Sequence, residues 1–90
     1  MKGGYKIVSF KNEPLTSGTP ATIDGVYSAI VNTYGKATLI SGMVVGDVAY
    51  PDFYAPFVAN NGTYETEIVI SGATITISIA SGDEVTVTVA

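Results

Sequence analysis

The chain has 90 residues, of which 47% are hydrophobic, and it carries a net charge of −4 with no cysteine or histidine. This length fits a single domain, and the missing residue types exclude disulfides and the usual zinc sites. Four lysines, no arginine and eight acidic residues make nucleic acid and anionic membranes unsuitable partners, and we expect neither.

The first 18 residues predict a strand followed by a loop. Residues 5–10 predict a short strand, with Lys6, Val8 and Phe10 on one face and Tyr5, Ile7 and Ser9 on the other. Residues 12–18 contain proline and glycine and predict a loop. No apolar run near the amino terminus is long enough for a signal peptide, and no stretch of the chain is long enough for a membrane-spanning helix.

One helix is predicted, over residues 19–35. Thr19 is a suitable N-cap, Pro20 suits the first helical position and Gly35 suits the C-terminal stop. Gly25 lies inside this span, where glycine costs about 1 kcal/mol relative to alanine, and it would allow close contact with a sheet or with a neighbouring chain. Apolar residues recur at helical spacing and form a stripe of Ile23, Val26, Tyr27, Ile30, Val31 and Tyr34.

Residues 36–90 predict an antiparallel meander of short strands. The turn signals are Gly46-Asp47, Asn61-Gly62, Ser71-Gly72 and a loop around Gly82. Pro56 restricts its own strand to an edge or a bulged position. The predicted strands are residues 38–45, 48–51, 53–59, 64–70, 73–80 and 85–89.

The last three turns predict one common register. They place Ala55 opposite Ile68 and Phe53 opposite Ile70, and they continue the same buried face through the final two strands. A slip of one residue at any turn would destroy this agreement. The predicted fold is therefore α+β and mostly β, with an antiparallel sheet of about five to six strands and one amphipathic helix packed on its apolar face. The predicted buried face consists of Phe53, Ala55, Phe57, Ile68, Ile70, Ile75, Ile77, Ile79, Val85, Val87 and Val89.

Few residues are suited to catalysis or metal binding. Without histidine or cysteine, acid–base catalysis at neutral pH would need a perturbed carboxyl, lysine or tyrosine in a dry cleft. Glu65 and Glu67 share one predicted face at a spacing that suits a catalytic pair or a calcium ion, although solvated strand charges are the commoner reason for this pattern. Asp47 and Asp52 lack the regular ligand spacing of a calcium loop. We therefore predict that the protein is not an enzyme and has no cofactor and no metal site.

Two outer surfaces of the predicted sheet are of interest. Rows of threonine and serine on the last two strands can order water, pack against another sheet or simply reflect the β propensity of threonine. The second surface is more apolar than a lone domain of this size normally exposes, and it suggests a subunit contact, a docking contact or an aromatic platform for sugar. This candidate interaction surface consists of Tyr50, Tyr54, Pro56, Val58 and Val69.

The charges are separated along the chain. Residues 1–45 hold all four lysines and two acids, whereas residues 46–90 hold six acids and no base. This asymmetry would orient the molecule against a basic partner, although a solubilising face is the commoner reason for it. A small chain without disulfides has marginal stability, so we expect support from oligomerisation or from docking onto a larger body.

The chain resembles the small accessory virion proteins of tailed bacteriophages, of the capsid-decoration or head-fibre type. The shared features are an acidic cysteine-free chain, one capped helix, hairpins rich in glycine and asparagine, and a tail that contains Thr-Ile-Thr-Ile-Ser-Ile and Val-Thr-Val-Thr-Val. The resemblance implies a non-enzymatic homo-oligomer, with a trimer favoured, on the outside of a capsid. The chain lacks a collagen-like or coiled-coil shaft, so it would be a base or cap module.

Two further expectations follow. The location is the virion if the gene belongs to a phage, and otherwise the cytoplasm, because no signal peptide is predicted. The alternative function is a β module that binds carbohydrate or a cell-surface ligand through Tyr50, Tyr54 and neighbouring acids.

Overall fold

The fold is α+β and mostly β, as predicted. A computed structural model describes residues 5–31 and 37–90, with only the backbone described at Tyr5, Lys6 and Ala37. These residues form short strands and one short helix. The strands are β1 (Tyr5–Ser9), β2 (Pro14–Leu15), β3 (Ala21–Thr22), β4 (Ala37–Ser41), β5 (Val44–Val45), β6 (Val48–Ala49), β7 (Phe53–Ala55), β8 (Val58–Asn60), β9 (Thr63–Ile70), β10 (Ala73–Ala80) and β11 (Glu84–Val89), and the helix α1 is Val26–Val31.

The strands form three sheets around one core. The largest sheet is antiparallel, with the order β3-β11-β10-β9-β8, and the others have the orders β1-β4-β7 and β2-β5-β6. Strands β1 and β4 are parallel, so the chain crosses over between them through α1, which packs against β1 and β10. Phe10, Ile30, Ile40 and Ile77 are completely buried and show that helix, smaller sheet and larger sheet share this core.

The C-terminal meander has the predicted register. Ile68 lies opposite Ile75 across the Ser71-Gly72 turn, and Ile77 lies opposite Val87 across the turn at Ser81–Asp83. The buried members of the predicted face are Ala55, Ile75, Ile77, Ile79, Val85 and Val87, while Phe53, Phe57, Ile68, Ile70 and Val89 are half-buried against them. Local turn chemistry and strict alternation therefore specify this part of the fold.

The predicted strand over residues 53–59 is wrong, because the chain divides there into β7 and β8. Only β8 pairs with β9, whereas β7 pairs with β4 and places Tyr54 opposite Leu39. The predicted neighbours Ala55–Ile68 and Phe53–Ile70 are therefore not paired. Pro56 explains the break, since it has no N–H group with which to continue the ladder along β9.

The helix begins at Val26 and not near Thr19. Gly25 has a φ of +86°, a left-handed conformation that a right-handed helix cannot contain. Thr19 donates its N–H to the carbonyl of Thr16 in a turn, and the next residues form β3 against β11. The predicted stop at Gly35 and the stripe residue Tyr34 lie outside the described residues.

The first predicted β-strand after the helix, residues 38–45, is also divided. Strands β4 and β5 are separated at Gly42, which has a φ of +70° and approaches the backbone nitrogen atoms of Lys11 and Asn12 so closely that a Cβ would lie 3.1 Å from each. Only glycine fits this close approach without a shift of the backbone. The Gly46-Asp47 turn is confirmed, since Val45 lies opposite Val48. Residues 12–18, predicted as a loop, contain the short β2, which pairs with β5.

Candidate interaction surfaces

The predicted interaction surface contains three strongly exposed side chains. The exposed fractions are 56% for Tyr54, 64% for Val58 and 69% for Val69. Pro56 is also exposed, whereas Tyr50 is half-buried and packs against the core. Alternation along the strands thus predicted the outward side chains of β7 to β9, but not the position of Tyr50.

These exposed side chains belong to two different sheets. Tyr54 lies in the three-stranded sheet, while Val58 and Val69 lie in the five-stranded sheet opposite Glu65 and Thr74. The prediction that Tyr54 lies beside Val69 depended on pairing β7 with β9, and that pairing is absent.

A row of apolar residues crosses the outer face of the three-stranded sheet. Ile7 lies opposite Leu39, and Leu39 lies opposite Tyr54, so the row contains one residue of each strand. Ile7 is 56% exposed, equal to Tyr54, and Leu39 is half-buried. Sequence reasoning missed this apolar row because it depends on the non-local pairing of β1 with β4. The sequence indicates only that Ile7 and Val8 lie on opposite faces of the strand, since both are apolar and neither is marked as the outward one.

The outer face of the five-stranded sheet is mainly polar. Thr76 lies between Thr88 and Glu67, and Ser78 lies between Thr86 and Glu65 in the next row. The threonine and serine rows predicted from the sequence are therefore present as rows. Three carboxylates on the same face, those of Glu65, Glu67 and Glu84, give it negative charge, with Val58 and Val69 at its margin.

Glu65 is held by the hairpin that connects β8 to β9. The side-chain amide of Asn60 donates to Glu65 Oε1 at 3.1 Å, and the hydroxyl of Thr63 lies 2.9 Å from Oε2. The same hydroxyl lies 2.8 Å from the carbonyl oxygen of Asn60, so its single proton is shared between two acceptors. The hydrogen bonds from Asn60 and Thr63 hold the pKa of Glu65 below its usual range. This geometry gives Glu65 a role in the turn and lends no support to a catalytic pair with Glu67.

Asp83 caps the helix from the opposite end of the chain. Its Oδ1 accepts from the N–H of Tyr27 at 3.0 Å, and its carbonyl accepts from the N–H of Ile23 at 3.0 Å. Backbone hydrogen bonds from Gly25 and then Tyr27 hold the pKa of Asp83 below its usual range, and the charge of Lys11 acts in the same direction. Sequence reasoning assigned the cap to Thr19 because a partner 56 residues away has no local signal.

Lys11 reinforces the same end of the helix. Its ammonium group donates to the carbonyl oxygen of Asp24 at 2.6 Å, immediately before the helix begins. Lys11 is thus tied to the fold next to the Asp83 cap, and we assign it a structural role.

One edge of the five-stranded sheet is closed by the same chain. Strand β3 pairs with the start of β11. Beyond it, the N–H of Gly18 donates to the carbonyl of Val87 at 2.8 Å, and the N–H of Val89 donates to the hydroxyl oxygen of Ser17 at 2.9 Å. We call this the closed edge, because residues 17–22 form hydrogen bonds with the backbone of β11 along most of its length.

The other edge is only partly covered. Strand β8 pairs with β9 at Thr63–Glu65 and no further. Thr74 of β10 exchanges both backbone hydrogen bonds with Ala90, at 3.0 and 2.9 Å, so its backbone groups point toward β11. In an antiparallel ladder the residue opposite it, Val69, must then direct its own N–H and C=O away from β10. Glu67, two residues earlier on β9, directs its backbone N–H and C=O to the same side as Val69. Neither Glu67 nor Val69 has a backbone hydrogen-bond partner on that side among the residues that the structure describes. We call Glu67–Val69 the open edge.

A buried hydroxyl lies close to the open edge along β9. Thr66 is 6% exposed and lies opposite Ile77, with its side chain on the inner face. Its Oγ1 has no hydrogen-bond partner within residues 5–31 and 37–90. An unpaired buried hydroxyl destabilises the folded state, because its hydration is lost without replacement.

The described residues contain neither a metal-binding cluster nor a membrane-spanning helix. No group of three or more acidic side chains there is arranged to hold a metal ion. The described part of the chain also contains no helix with the length and apolar character needed to cross a bilayer.

Comparison with models of known protein families, with curated proteins and with solved structures finds no match to this chain. Inference of function therefore rests on the surfaces and edges described above.

Proposed function

We propose that this protein is a non-enzymatic structural module that associates with itself and docks onto a larger assembly. The observation that carries the proposal is the apolar row of Ile7, Leu39 and Tyr54, which crosses every strand of one sheet on its outer face. Exposed apolar surface that is continuous across a sheet is typical of protein–protein contacts, whereas isolated apolar side chains are not. The proposed location is the outer surface of a phage capsid, as the resemblance to decoration and head-fibre proteins implies.

The chemistry of the apolar row suits a contact with protein. Burial of apolar surface contributes about 25 cal/mol for each Å² removed from water. Tyr54 adds a large aromatic ring with a polar end, and tyrosine is enriched at protein interfaces for this reason. Val48 is also 51% exposed and lies in another sheet, so it provides a comparison for substitutions within the row.

Self-association can be tested by size-exclusion chromatography with light scattering at tens of micromolar protein. We expect the wild type to be an oligomer, with a trimer favoured by the resemblance. Ile7→Lys and Tyr54→Lys should shift the mass toward the monomer, because each places a charge in the proposed contact. Val48→Lys is the matched control and should leave the mass unchanged. A strictly monomeric wild type, unaffected by Tyr54→Lys, would remove the proposal of self-association.

The attachment to a capsid can be tested separately through the position of the gene. Genes for capsid and portal proteins on either side of it would support a virion role. A neighbourhood of sugar-processing genes would instead favour the second candidate below.

The second candidate is a module that binds carbohydrate or another cell-surface ligand. Its support is the exposed ring of Tyr54, since sugar rings stack on exposed aromatic faces. The half-buried position of Tyr50 removes the second ring of the platform expected from the sequence. Absence of binding on a glycan array, together with unchanged tyrosine fluorescence in the presence of sugars, would exclude this candidate.

A further inference from the structure

We propose that two copies of the chain pair through the open edge of β9 and form one continuous antiparallel sheet across a two-fold axis. The inference rests on the proposed self-association and adds to the apolar row a second contact, which joins copies in pairs. Glu67 and Val69 each direct a backbone N–H and C=O toward the side of β9 that has no ladder partner at these residues, and an unpaired edge of this kind is a template for another strand.

The open edge is accessible at Val69. This side chain has the largest exposed fraction, 69%, of the large hydrophobic residues that the structure describes. Its one cross-strand neighbour in the ladder is Thr74, on the β10 side. Strand β7 contacts β9 but pairs with β4, so it supplies no ladder hydrogen bonds to this edge. Pro56 lacks the N–H that would have let the preceding chain extend β8 along Glu67.

The open edge is complementary to a second copy of itself. A two-fold axis that passes beside Ile68 places Glu67 opposite Val69 of the partner subunit, and Val69 opposite Glu67 of the partner subunit. Both open residues then form hydrogen-bonded pairs, with four backbone hydrogen bonds in total. Ile68 faces its own copy on the inner side, where apolar pairs are favourable.

Charge selects this register over the one that is centred on Glu67. A shift that places Glu67 opposite its own copy would bring two carboxylates together, which is destabilising directly across a ladder. In the proposed register each carboxylate lies beside a valine instead. Both copies carry a net charge of −4, so their general repulsion opposes pairing, and salt should strengthen the association by screening it.

Introduced cysteines provide the decisive test, because the natural chain contains none. Residues opposite each other in a hydrogen-bonded antiparallel pair have Cα atoms about 5.5 Å apart, which is within the range that a disulfide spans. A mixture of the Glu67→Cys and Val69→Cys proteins should therefore cross-link several-fold more than either variant alone. Both positions are exposed, so folding should be preserved. Val48→Cys, exposed on another sheet, is the control and should cross-link weakly in every mixture.

A second variant tests the backbone contribution. Glu67→Pro removes an N–H that the described fold does not use, and it should convert the oligomer to a smaller species while circular dichroism stays unchanged. Glu67→Gln keeps the N–H and should keep the oligomer, more firmly than the wild type at low salt. If Glu67→Pro does not fold, the cysteine mixture decides the question.

The outcomes separate this inference from the proposed function. Preferential cross-linking of the unlike cysteine variants, together with a smaller oligomer in Glu67→Pro, supports pairing at the open edge. Equal cross-linking in all mixtures, or a trimer that is insensitive to Glu67→Pro, overturns edge pairing and leaves self-association standing. A wild type that is monomeric at all salt concentrations overturns both.

Discussion

Along β11 the five-stranded sheet ends against residues 17–22 of its own chain, whereas along β9 it pairs with three residues of β8 and beyond them forms no further ladder on that side. The closed edge is formed by contacts between opposite ends of the chain, such as Ser17 with Val89. The open edge adjoins a short local hairpin. The difference indicates that intramolecular contacts stabilise the β11 side, while the β9 side retains backbone groups that can bind another chain.

The largest expected difference is between two valines on these edge strands, one on the inner face of β11 and the other on the outer face of β9. Val85 of β11 is completely buried, whereas Val69 of β9 is 69% exposed. Val85→Ala should lower the free energy of unfolding by about 2 kcal/mol, and Val69→Ala should change it by no more than about 0.5 kcal/mol. Urea denaturation at low protein concentration measures both values. An equal loss for the two variants would contradict the comparison.

A smaller effect of opposite sign is expected from Thr66. Replacing its hydroxyl with a methyl group in Thr66→Val removes an unpaired buried polar atom and keeps the shape, so stability should rise by about 1 kcal/mol. Thr88→Val, on the exposed face of β11, is the matched control and should have little effect. A loss of stability in Thr66→Val would mean that the hydroxyl does have a partner in solution.

The smallest expected effect is on how the stability of the fold depends on pH under acidic conditions. The pKa values of Asp83, beside the closed edge, and Glu65, beside the open edge, are both lowered by hydrogen bonds to the ionised forms. The stability that these bonds provide is present above the usual carboxyl range, about pH 4. It is lost as pH falls through the lower pKa of the folded state.

Asp83→Asn and Glu65→Gln should therefore each reduce the slope of unfolding free energy against pH below about pH 4. The reduction should be larger for Asp83→Asn, because Asp83 connects the β10–β11 turn to the helix, whereas Glu65 serves one hairpin. Denaturation titrations between pH 5 and pH 2 measure the slopes. Unchanged slopes in both variants would show that these carboxylates do not contribute.

The sequence predicts the strand register on the closed side of the sheet, but not the contacts that close its edge. It predicts the open side less well. The register of β9, β10 and β11 follows from two tight turns and from strict alternation, which are local signals. The contacts that close the edge, from Ser17 to Val89 and from Tyr27 to Asp83, have no local signal. For this reason the cap was assigned to Thr19, and β3 was predicted as the first turn of the helix.

The candidate surface illustrates the same limit. The outward positions of Tyr54, Val58 and Val69 follow from alternation along their own strands. The positions of these side chains relative to one another do not follow from alternation, because β7 can pair with either β4 or β9. The parallel pairing of β1 with β4 provides the β4 edge with which β7 pairs. Ile7 therefore joins Tyr54 in the apolar row, and Val69 remains at a separate edge.

The contacts between Ser17 and Val89 and between Tyr27 and Asp83 also affect how the chain folds during synthesis. The helix and its neighbouring loop leave the ribosome long before the residues that cap and pair with them. Most of the early chain therefore lacks its native long-range contacts until those residues emerge, whereas the late hairpins need only local contacts and form quickly. Nascent chains from which Asp83 and Val89 have not yet emerged should accordingly be sensitive to protease and dependent on chaperones, and protection should appear once these residues have left the ribosome.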